Sequence, residues 1–198
     1  LEDAENAYTT LKSLISPDDE LYPKVIHGLK TCENATKAMK NPVSIIKTNQ
    51  GNLINDINSN INPVISGDGN TMVFTTIKRD DIDLYISTKQ NNAWSTPKRI
   101  TNQVSPKYYL VSVSLSYNGD QLYLATNDKD RNDIFVSYRE GKSWTAAEKL
   151  DKTINGKKSN ETHAVVTKDG NTIYFTSDME GGMGGFDIYK STKDEKGK

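Results

Sequence analysis

Apolar and polar residues alternate with a period of two in three separated stretches, and each stretch is built the same way. The first is Asn62 to Ser87, N-P-V-I-S-G-D-G-N-T-M-V-F-T-T-I-K-R-D-D-I-D-L-Y-I-S. The second begins V-S-L-S-Y-N-G-D-Q-L-Y-L-A-T at Val113 and closes with N-D-I-F-V-S at Ser137. The third begins A-V-V-T-K-D-G-N-T-I-Y-F-T-S at Ala164 and closes with F-D-I-Y-K-S. Gly69, Gly119 and Gly170 recur at intervals of 50 and 51 residues, and Trp94 and Trp144 are 50 apart. Repeats of this length around a strand–turn–strand core mark propeller blades.

Each repeat predicts the same elements. An inner strand is expected at Pro63–Ser66, Ser112–Ser116 and His163–Thr167, followed by a tight turn at an Asp-Gly or Asn-Gly pair. Such pairs favour hairpin turns in which both central residues take positive φ. The second strands carry Met72 and Phe74, Leu122 and Leu124, Ile173 and Phe175; the third carry Leu84 and Ile86, Ile134 and Val136, and Ile188. Tyr85, Phe135 and Tyr189 alternate with these aliphatics, as sheets covered on both faces require. Outer strands are expected after each Trp, at Lys98–Thr101 and Glu148–Asp151, with Val43–Lys47 as an outer strand lacking its own blade. Pairing of that orphan strand with the last blade would close a ring without open edges. Three blades are fewer than the four to eight that usually close a ring, so the ring is expected to be partial or completed by other elements.

Before residue 43 the period is three to four. Leu1, Ala4, Ala7, Tyr8, Leu11, Leu14 and Ile15 fall on one helical face; Leu21, Val25, Ile26, Leu29, Cys32, Ala35, Thr36 and Met39 fall on another. Ser16-Pro17-Asp18-Asp19 separates the two helices and offers carboxylates to cap the second, and Asn41-Pro42 ends it. The expected organisation is a helical hairpin over residues 1–42 and β-propeller blades over 43–198, at about 43–101, 102–151 and 152–198. The first residue already lies inside a helical pattern, so the chain reads as a mature or excised segment.

Composition narrows the function classes. Basic and acidic residues nearly cancel, 25 against 26, without the basic excess of a nucleic-acid binder. No apolar run reaches the roughly 18 residues of a membrane span. A single cysteine, Cys32, excludes an internal disulfide. His27 and His163 have no cysteine partner or visible third ligand, so no metal or other cofactor is expected.

Asp83, Asp133 and Asp187 recur once per repeat, which suits a structural carboxylate accepting backbone N–H bonds better than a catalytic one. The Gly67-Asp-Gly-Asn turn offers too few oxygens for calcium, and the richer run Asn127–Asp133 carries a lysine and an arginine that offset its acids, which suits a solvated loop. The five-residue Gly181-Gly-Met-Gly-Gly stretch leads from strand to strand, unlike a phosphate loop, and lengthens its turn by three residues relative to the other repeats. No nucleophile elbow appears, and Cys32 sits on an apolar helix face. No catalytic residue is assigned.

The pattern P-V-I-S-x-D-G-N-T-M-V-F-T-T…D-L-Y-I-S, with F-T-S-D-M-E-G-G-M-G-G-F-D-I-Y-K-S in the third repeat, closely resembles the TolB-like (WD-like) β-propeller repeat. The run from Cys32 through Asn41-Pro-Val, Leu53-Ile-Asn and Asn62-Pro-Val-Ile-Ser is similar to a junction in OmpA-family envelope proteins of Bacteroidetes type. There a tetratricopeptide-like helical segment leads into such a propeller. The first two repeats match more loosely and lack the double glycine. The resemblance implies a periplasmic, outer-membrane-associated, non-enzymatic scaffold that docks envelope proteins, in some members of a secretion assembly. Peptidoglycan would be reached only through a domain that residues 1–198 do not contain.

On position alone, Arg79, Asp80, Asp128, Arg131 and Met183 are the expected partner-binding loop tips. The alternative function is a glycan-binding or glycan-hydrolysing propeller. Hydrolysis needs two unlike carboxylates or an arginine cluster beside a tyrosine, and Arg79, Arg99, Arg131 and Arg139 fall in different strand and loop contexts. A third reading is a structural spacer.

Overall fold

The computed structural model describes residues 1–79, 81–105, 109–126 and 131–194. The chain divides into two compact units, Leu1–Thr48 and Asn49–Lys198.

The first unit holds helices α1 (Glu2–Leu14) and α2 (Tyr22–Lys40). Its packing turns on Gly28: a Cβ there would lie 2.4 Å from the Tyr8 ring, so the glycine is what lets the two helices meet. The buried stripe of α2 is Val25, Gly28 and Cys32, while Ile26 and Met39 are exposed. The apolar face is thus narrower than the sequence pattern predicts. Asp19 lies two residues before Leu21, the residue that caps α2, and accepts its backbone N–H on Oδ1 at 2.8 Å. The carboxylate therefore shapes the turn and does not cap the helix.

The expected outer strand at Val43–Lys47 is not formed. These residues belong to no sheet, and Val43, Ile45 and Ile46 are 80%, 73% and 89% exposed. Strands persist only with a hydrogen-bonded neighbour, and none of the three sheets includes this segment.

The second unit is mainly β, with three antiparallel sheets among the described residues, one per sequence repeat. The first runs β1 (Ser59–Ile65), β2 (Thr71–Lys78) and β3 (Asp81–Gln90), with β4 (Ala93–Trp94) and β5 (Lys98–Arg99) both pairing with β3. The one-turn helix α3 (Thr101–Val104) leads onward. The second sheet runs β6 (Leu110–Leu115), β7 (Gln121–Thr126) and β8 (Ile134–Glu140), with β9 (Ser143–Trp144) and β10 (Glu148–Lys149) on β8. The third has β11 (Glu161–Val166), β12 (Thr172–Ser177) and β13 (Asp187–Thr192).

The middle strands carry the core. Thr71–Thr76 is buried on both faces of β2, as is Leu122–Ala125 in β7. Val73, Leu84, Ile100, Leu122, Leu124 and Phe135 join the first sheet to the second; Tyr123, Ile134, Val136, Ala164 and Phe175 join the second to the third. Cross-strand aromatic pairs reinforce the outer sheets, Phe74 on Tyr85 at 5.8 Å and Phe175 on Tyr189 at 5.7 Å. The first strands start earlier than the alternation predicts, at Ser59, Leu110 and Glu161. A register break in each hides the polar–apolar rhythm there.

The three Asp-Gly or Asn-Gly turns depart from the expected geometry in a shared way. Only the glycine takes positive φ, +75°, +71° and +71° at Gly69, Gly119 and Gly170. The rest is held by side chains. The Ser66 hydroxyl donates to Asp68 Oδ1 and accepts the Thr71 N–H, while Asp68 Oδ1 accepts the Asn70 N–H. Ser116 with Asn118 and Asp120, and Thr167 with Asp169, reproduce the arrangement. The repeated hydroxyl two residues before the Asp or Asn is therefore a structural part of the turn.

Two outcomes follow from these turns. Gly69→Ala meets open space and is expected to cost about 1 kcal/mol from the left-handed backbone alone. At Gly119 a Cβ would also lie 3.0 Å from Thr71 Oγ1, so Gly119→Ala is expected to cost about 2–3 kcal/mol; urea titration compares the two.

The hydroxyl of Ser66 and the Asn70 N–H hold the Asp68 carboxyl below its ordinary range, and the hydroxyl of Thr167 and the Asn171 N–H do the same for Asp169. A depressed folded-state value gives stability that is present above the unfolded value, about 3.9. It disappears as pH falls through the folded one. Asp68→Asn with Asp169→Asn is expected to flatten the acid limb of a stability–pH curve by lowering stability near neutrality, where the carboxylates are charged, with the two curves converging in acid.

Candidate functional site

The first strands β1, β6 and β11 lie side by side, and where their register breaks they border a cavity of about 390 Å³. Antiparallel ladders alternate faces, and a bulge re-aims the residues at the break. Asn62 and Pro63, Val113, and Thr162 stand at the three breaks, and all four line the cavity. Asn62 is held at φ +48°, the left-handed region that asparagine tolerates. Sequence alternation alone missed this set; Asn62-Pro63 in β1 and Thr162 in β11 are a polar residue or proline at the break, while Val113 in β6 keeps the alternation and carries no such signal.

The wall is apolar or neutral. Val64, Val111 and Ala125 contribute hydrocarbon, and Asn132, Thr126 and Ser112 contribute amide and hydroxyl groups. Ser112 is fully engaged: its Oγ donates to the Asn62 carbonyl at 2.7 Å and lies 2.9 Å from Thr75 Oγ1, which accepts the Ser112 N–H. It is a buried tie between first and second sheets. Among the described residues His163 is the one ionisable side chain in the lining, and its Nδ1 lies 3.0 Å from Thr162 Oγ1. No acid stands behind the imidazole in these contacts, so the arrangement supplies recognition groups without a nucleophile–base pair.

Below the cavity, the second and third sheets are joined by polar side chains. Asn160 Oδ1 accepts the Asn132 N–H, and Asp178 accepts both the Asn160 backbone N–H at 2.6 Å and its amide at 2.9 Å. These Asn160 bonds, side-chain amide first, hold the Asp178 carboxyl below its usual range. Glu161 is wholly buried, and its Oε1 accepts the hydroxyls of Ser159 and Ser177, each at 2.7 Å. It fixes the start of β11 immediately before the break that presents Thr162.

The expected loop tips are dispersed. Arg79 sits in the β2–β3 turn at φ +57°. Arg131 is tied down, Nη2 donating to Asp133 Oδ1 at 3.2 Å and to the Gly156 carbonyl at 2.8 Å. Met183 is 98% exposed in the middle of the glycine-rich loop. Asp80 and Asp128 lie outside the described residues, as do Asn127–Asp130 of the acidic run.

The recurring aspartates have a different role from the one their position suggests. Asp83 Oδ1 accepts Arg99 Nε at 2.6 Å and the Thr101 hydroxyl at 3.0 Å, and Asp133 Oδ2 pairs with Lys149 at 2.8 Å. In the first two sheets the carboxylate therefore binds the outer strand. Asp187 alone follows the expected backbone pattern, its Oδ2 accepting the N–H groups of Met183 and Gly184 at 2.7 and 3.0 Å. The glycine-rich loop thus wraps a carboxylate of its own chain. A Cβ at Gly182 would fall 2.1 Å from that oxygen.

No group of three or more metal-ligating side chains occurs among the described residues. No helix among them is long and apolar enough to cross a membrane.

No family model matches the sequence, and no curated protein matches it. Among solved structures, the chain is similar to TolB from Acinetobacter baumannii, at 15% identity and a TM-score of 0.45, over 66% of this chain and 29% of that one. It is similar to a putative TolB from Agrobacterium tumefaciens, at 14% identity and a TM-score of 0.46, over 70% and 47%. It is also similar to a structure from a mechanistic study of two prolyl endopeptidases, at 16% identity and a TM-score of 0.47, over 69% and 18%. The chain spans less than half the length of each.

Glu161→Ala strands the Ser159 and Ser177 hydroxyls and is expected to cost about 2–3 kcal/mol. Glu161→Gln keeps the accepting oxygen and is expected to cost about 1 kcal/mol or less. Urea midpoints of the two variants measured side by side check this.

Proposed function

We propose that this chain is a non-enzymatic protein-interaction module of the cell envelope, a partial TolB-like propeller that docks a partner at the cavity bordered by β1, β6 and β11. The observation that carries the reading is the cavity wall itself. Three register breaks present Asn62, Pro63, Val113 and Thr162 together, with apolar surface between neutral donors and acceptors. Such a surface offers a protein partner burial and orientation, and it lacks the paired carboxylates or activated nucleophile that hydrolysis requires. The repeat pattern and its resemblance to envelope proteins supply the periplasmic, outer-membrane-associated setting. Arg79 and Met183 are proposed as peripheral contacts.

Affinity capture from solubilised envelope tests this, with and without prior lysozyme digestion, using the chain and its Val113→Asp variant. Specific proteins are expected to survive digestion and to fall about ten-fold with the variant, as for loss of a central interface anchor. A urea midpoint confirms that the variant is folded. Capture that disappears with the glycan would overturn the reading in favour of glycan binding.

A further inference from the structure

The first two sheets show how this fold holds a fourth strand, and the third sheet carries the same three receptor groups without a fourth strand on them among the described residues; Asp187 gives its Oδ2 to the Met183 and Gly184 N–H groups and, among those residues, pairs with no cation. Three positions of the third strand do the holding. Four residues after Asp83 and Asp133 come Ser87 and Ser137, whose hydroxyls donate to the carbonyls of Ser95 and Thr145 at 2.6 and 2.7 Å. Two residues further on, Lys89 and Arg139 pair in register with Trp94 and Trp144, and Lys89 Nζ lies 5.2 Å from the Trp94 ring centre. The carboxylates themselves take Arg99 and Lys149.

On β13 the same spacing gives Asp187, Ser191 and Lys193. The backbone there is positioned as in the other repeats: Lys193 donates its N–H to Asn171, as Arg139 does to Asp120 and Lys89 to Asn70. No ion pair reaches Asp187 among the described residues, and β13 is the edge of its sheet. Ile188 on this edge is 80% exposed.

Beside the edge lies a cavity of about 360 Å³, lined by Val136, Leu150, Ile154, Ile173, Ser191 and Lys193 among others. Its place in the repeat is informative. Trp144 packs into the core that holds Ile100 and Val104, and Leu150 and Ile154 are the third-sheet counterparts of that pair. Lys193 is the counterpart of the residue that pairs with each Trp. The volume is ample for an indole, since an engineered apolar cavity of about 150 Å³ admits benzene.

We infer that the β13 edge and this cavity form a strand-accepting site for an extended polypeptide segment of pattern Trp-(Ser/Thr)-x-x-x-(Lys/Arg)-(Ile/Leu), supplied from outside residues 1–198. The indole enters the cavity beside Lys193, the carbonyl of the following Ser or Thr takes the Ser191 hydroxyl, and the basic residue reaches Asp187. Backbone pairing along β13 supplies affinity and the side chains supply selection. The occupant is a strand with an aromatic anchor and a cation; the Val43–Thr48 segment carries Lys47 but no aromatic residue. The site lies at the opposite edge of the third sheet from β11, so its failure and that of the proposed cavity interface are separable.

The test is fluorescence anisotropy of labelled peptides of residues 93–101 and 143–151 titrated with the whole chain, with hydrogen exchange followed along β13. Both peptides are expected to bind and to slow exchange of the β13 amides. Replacing the peptide's Trp by Ala, or its Arg or Lys by Glu, is expected to weaken binding about ten-fold or more. The surface variant Lys193→Glu in the chain is expected to weaken it less, and Asp187→Asn to remove the preference for the basic residue. No binding up to roughly 1 mM, binding indifferent to the Trp, or unchanged β13 exchange would each overturn the inference. So would a dimer of the chain that the peptide of residues 43–50 dissociates and these peptides do not, because a second copy would then be the occupant.

Discussion

One carboxylate at the start of each third strand governs how each sheet ends. In the first two sheets it binds a cation on the outer strand, Arg99 on Asp83 and Lys149 on Asp133, and the outer strand then delivers Ile100 or Leu150 to the face of the sheet. Ile100 sits in the core between the first and second sheets, with Val104 and Trp144 beside it. The ion pairs are partly exposed and contribute little alone; their importance is positional, because they set the register that buries the aliphatic next to them. In the third sheet the same carboxylate is spent on backbone N–H groups of the glycine-rich loop. That exchange accounts for the glycine at 182, since a side chain there would collide with Asp187 and Tyr189.

The stacking of sheets follows from the middle strands. β2 and β7 bury both faces, so each needs cover on two sides and receives it from the neighbouring sheet and from the segments that precede the repeats, Ile54 lying with Met72 and Phe74 of β2. Ile54, Val104 and Ile154 occupy equivalent places in those segments, and all three are buried. Asn155 extends the tie by bonding both the N–H and the carbonyl of Ile134. β12 is less covered, with Tyr174 exposed and Ile173 partly so, in keeping with a sheet that has a neighbour on one side.

Much of this was legible in the sequence because the chain repeats itself. Three copies of one alternation place the strands, and the Trp-to-basic interval places the outer strands at β5 and β10. Other features were not legible. A period-two pattern says nothing about a bulge, so the cavity residues Asn62, Val113 and Thr162 were not marked by it, and at Val113 the alternation continues straight through the break. The Asp-Gly pair suggested a two-residue turn with two positive φ values, whereas a hydroxyl outside the pair carries half of the work. The recurring aspartates looked alike in sequence and differ in partner, because partner choice depends on whether an outer strand is paired to β3, β8 or β13. Val43–Lys47 had a strand's composition, but composition cannot provide an adjacent edge.

The three turns also differ in chemical durability. Asn118 precedes Gly119, the neighbour that least obstructs attack of a backbone nitrogen on an asparagine side chain. Here the amide is engaged on both atoms, Oδ1 with the Ser116 hydroxyl and Nδ2 with Asp120 Oδ2. Hydrolytic loss of that amide with the backbone intact would leave an aspartate, the residue that the equivalent turns already carry at Asp68 and Asp169. Its carboxylate would accept from the same hydroxyl but would face Asp120 as a like charge. Where the cyclic imide formed by that attack reopens to aspartate, ageing at this position would convert the second turn toward the chemistry of the other two, with one repulsion that neither of them contains; where it reopens at the backbone carbonyl, the resulting isoaspartate adds a main-chain carbon to the turn.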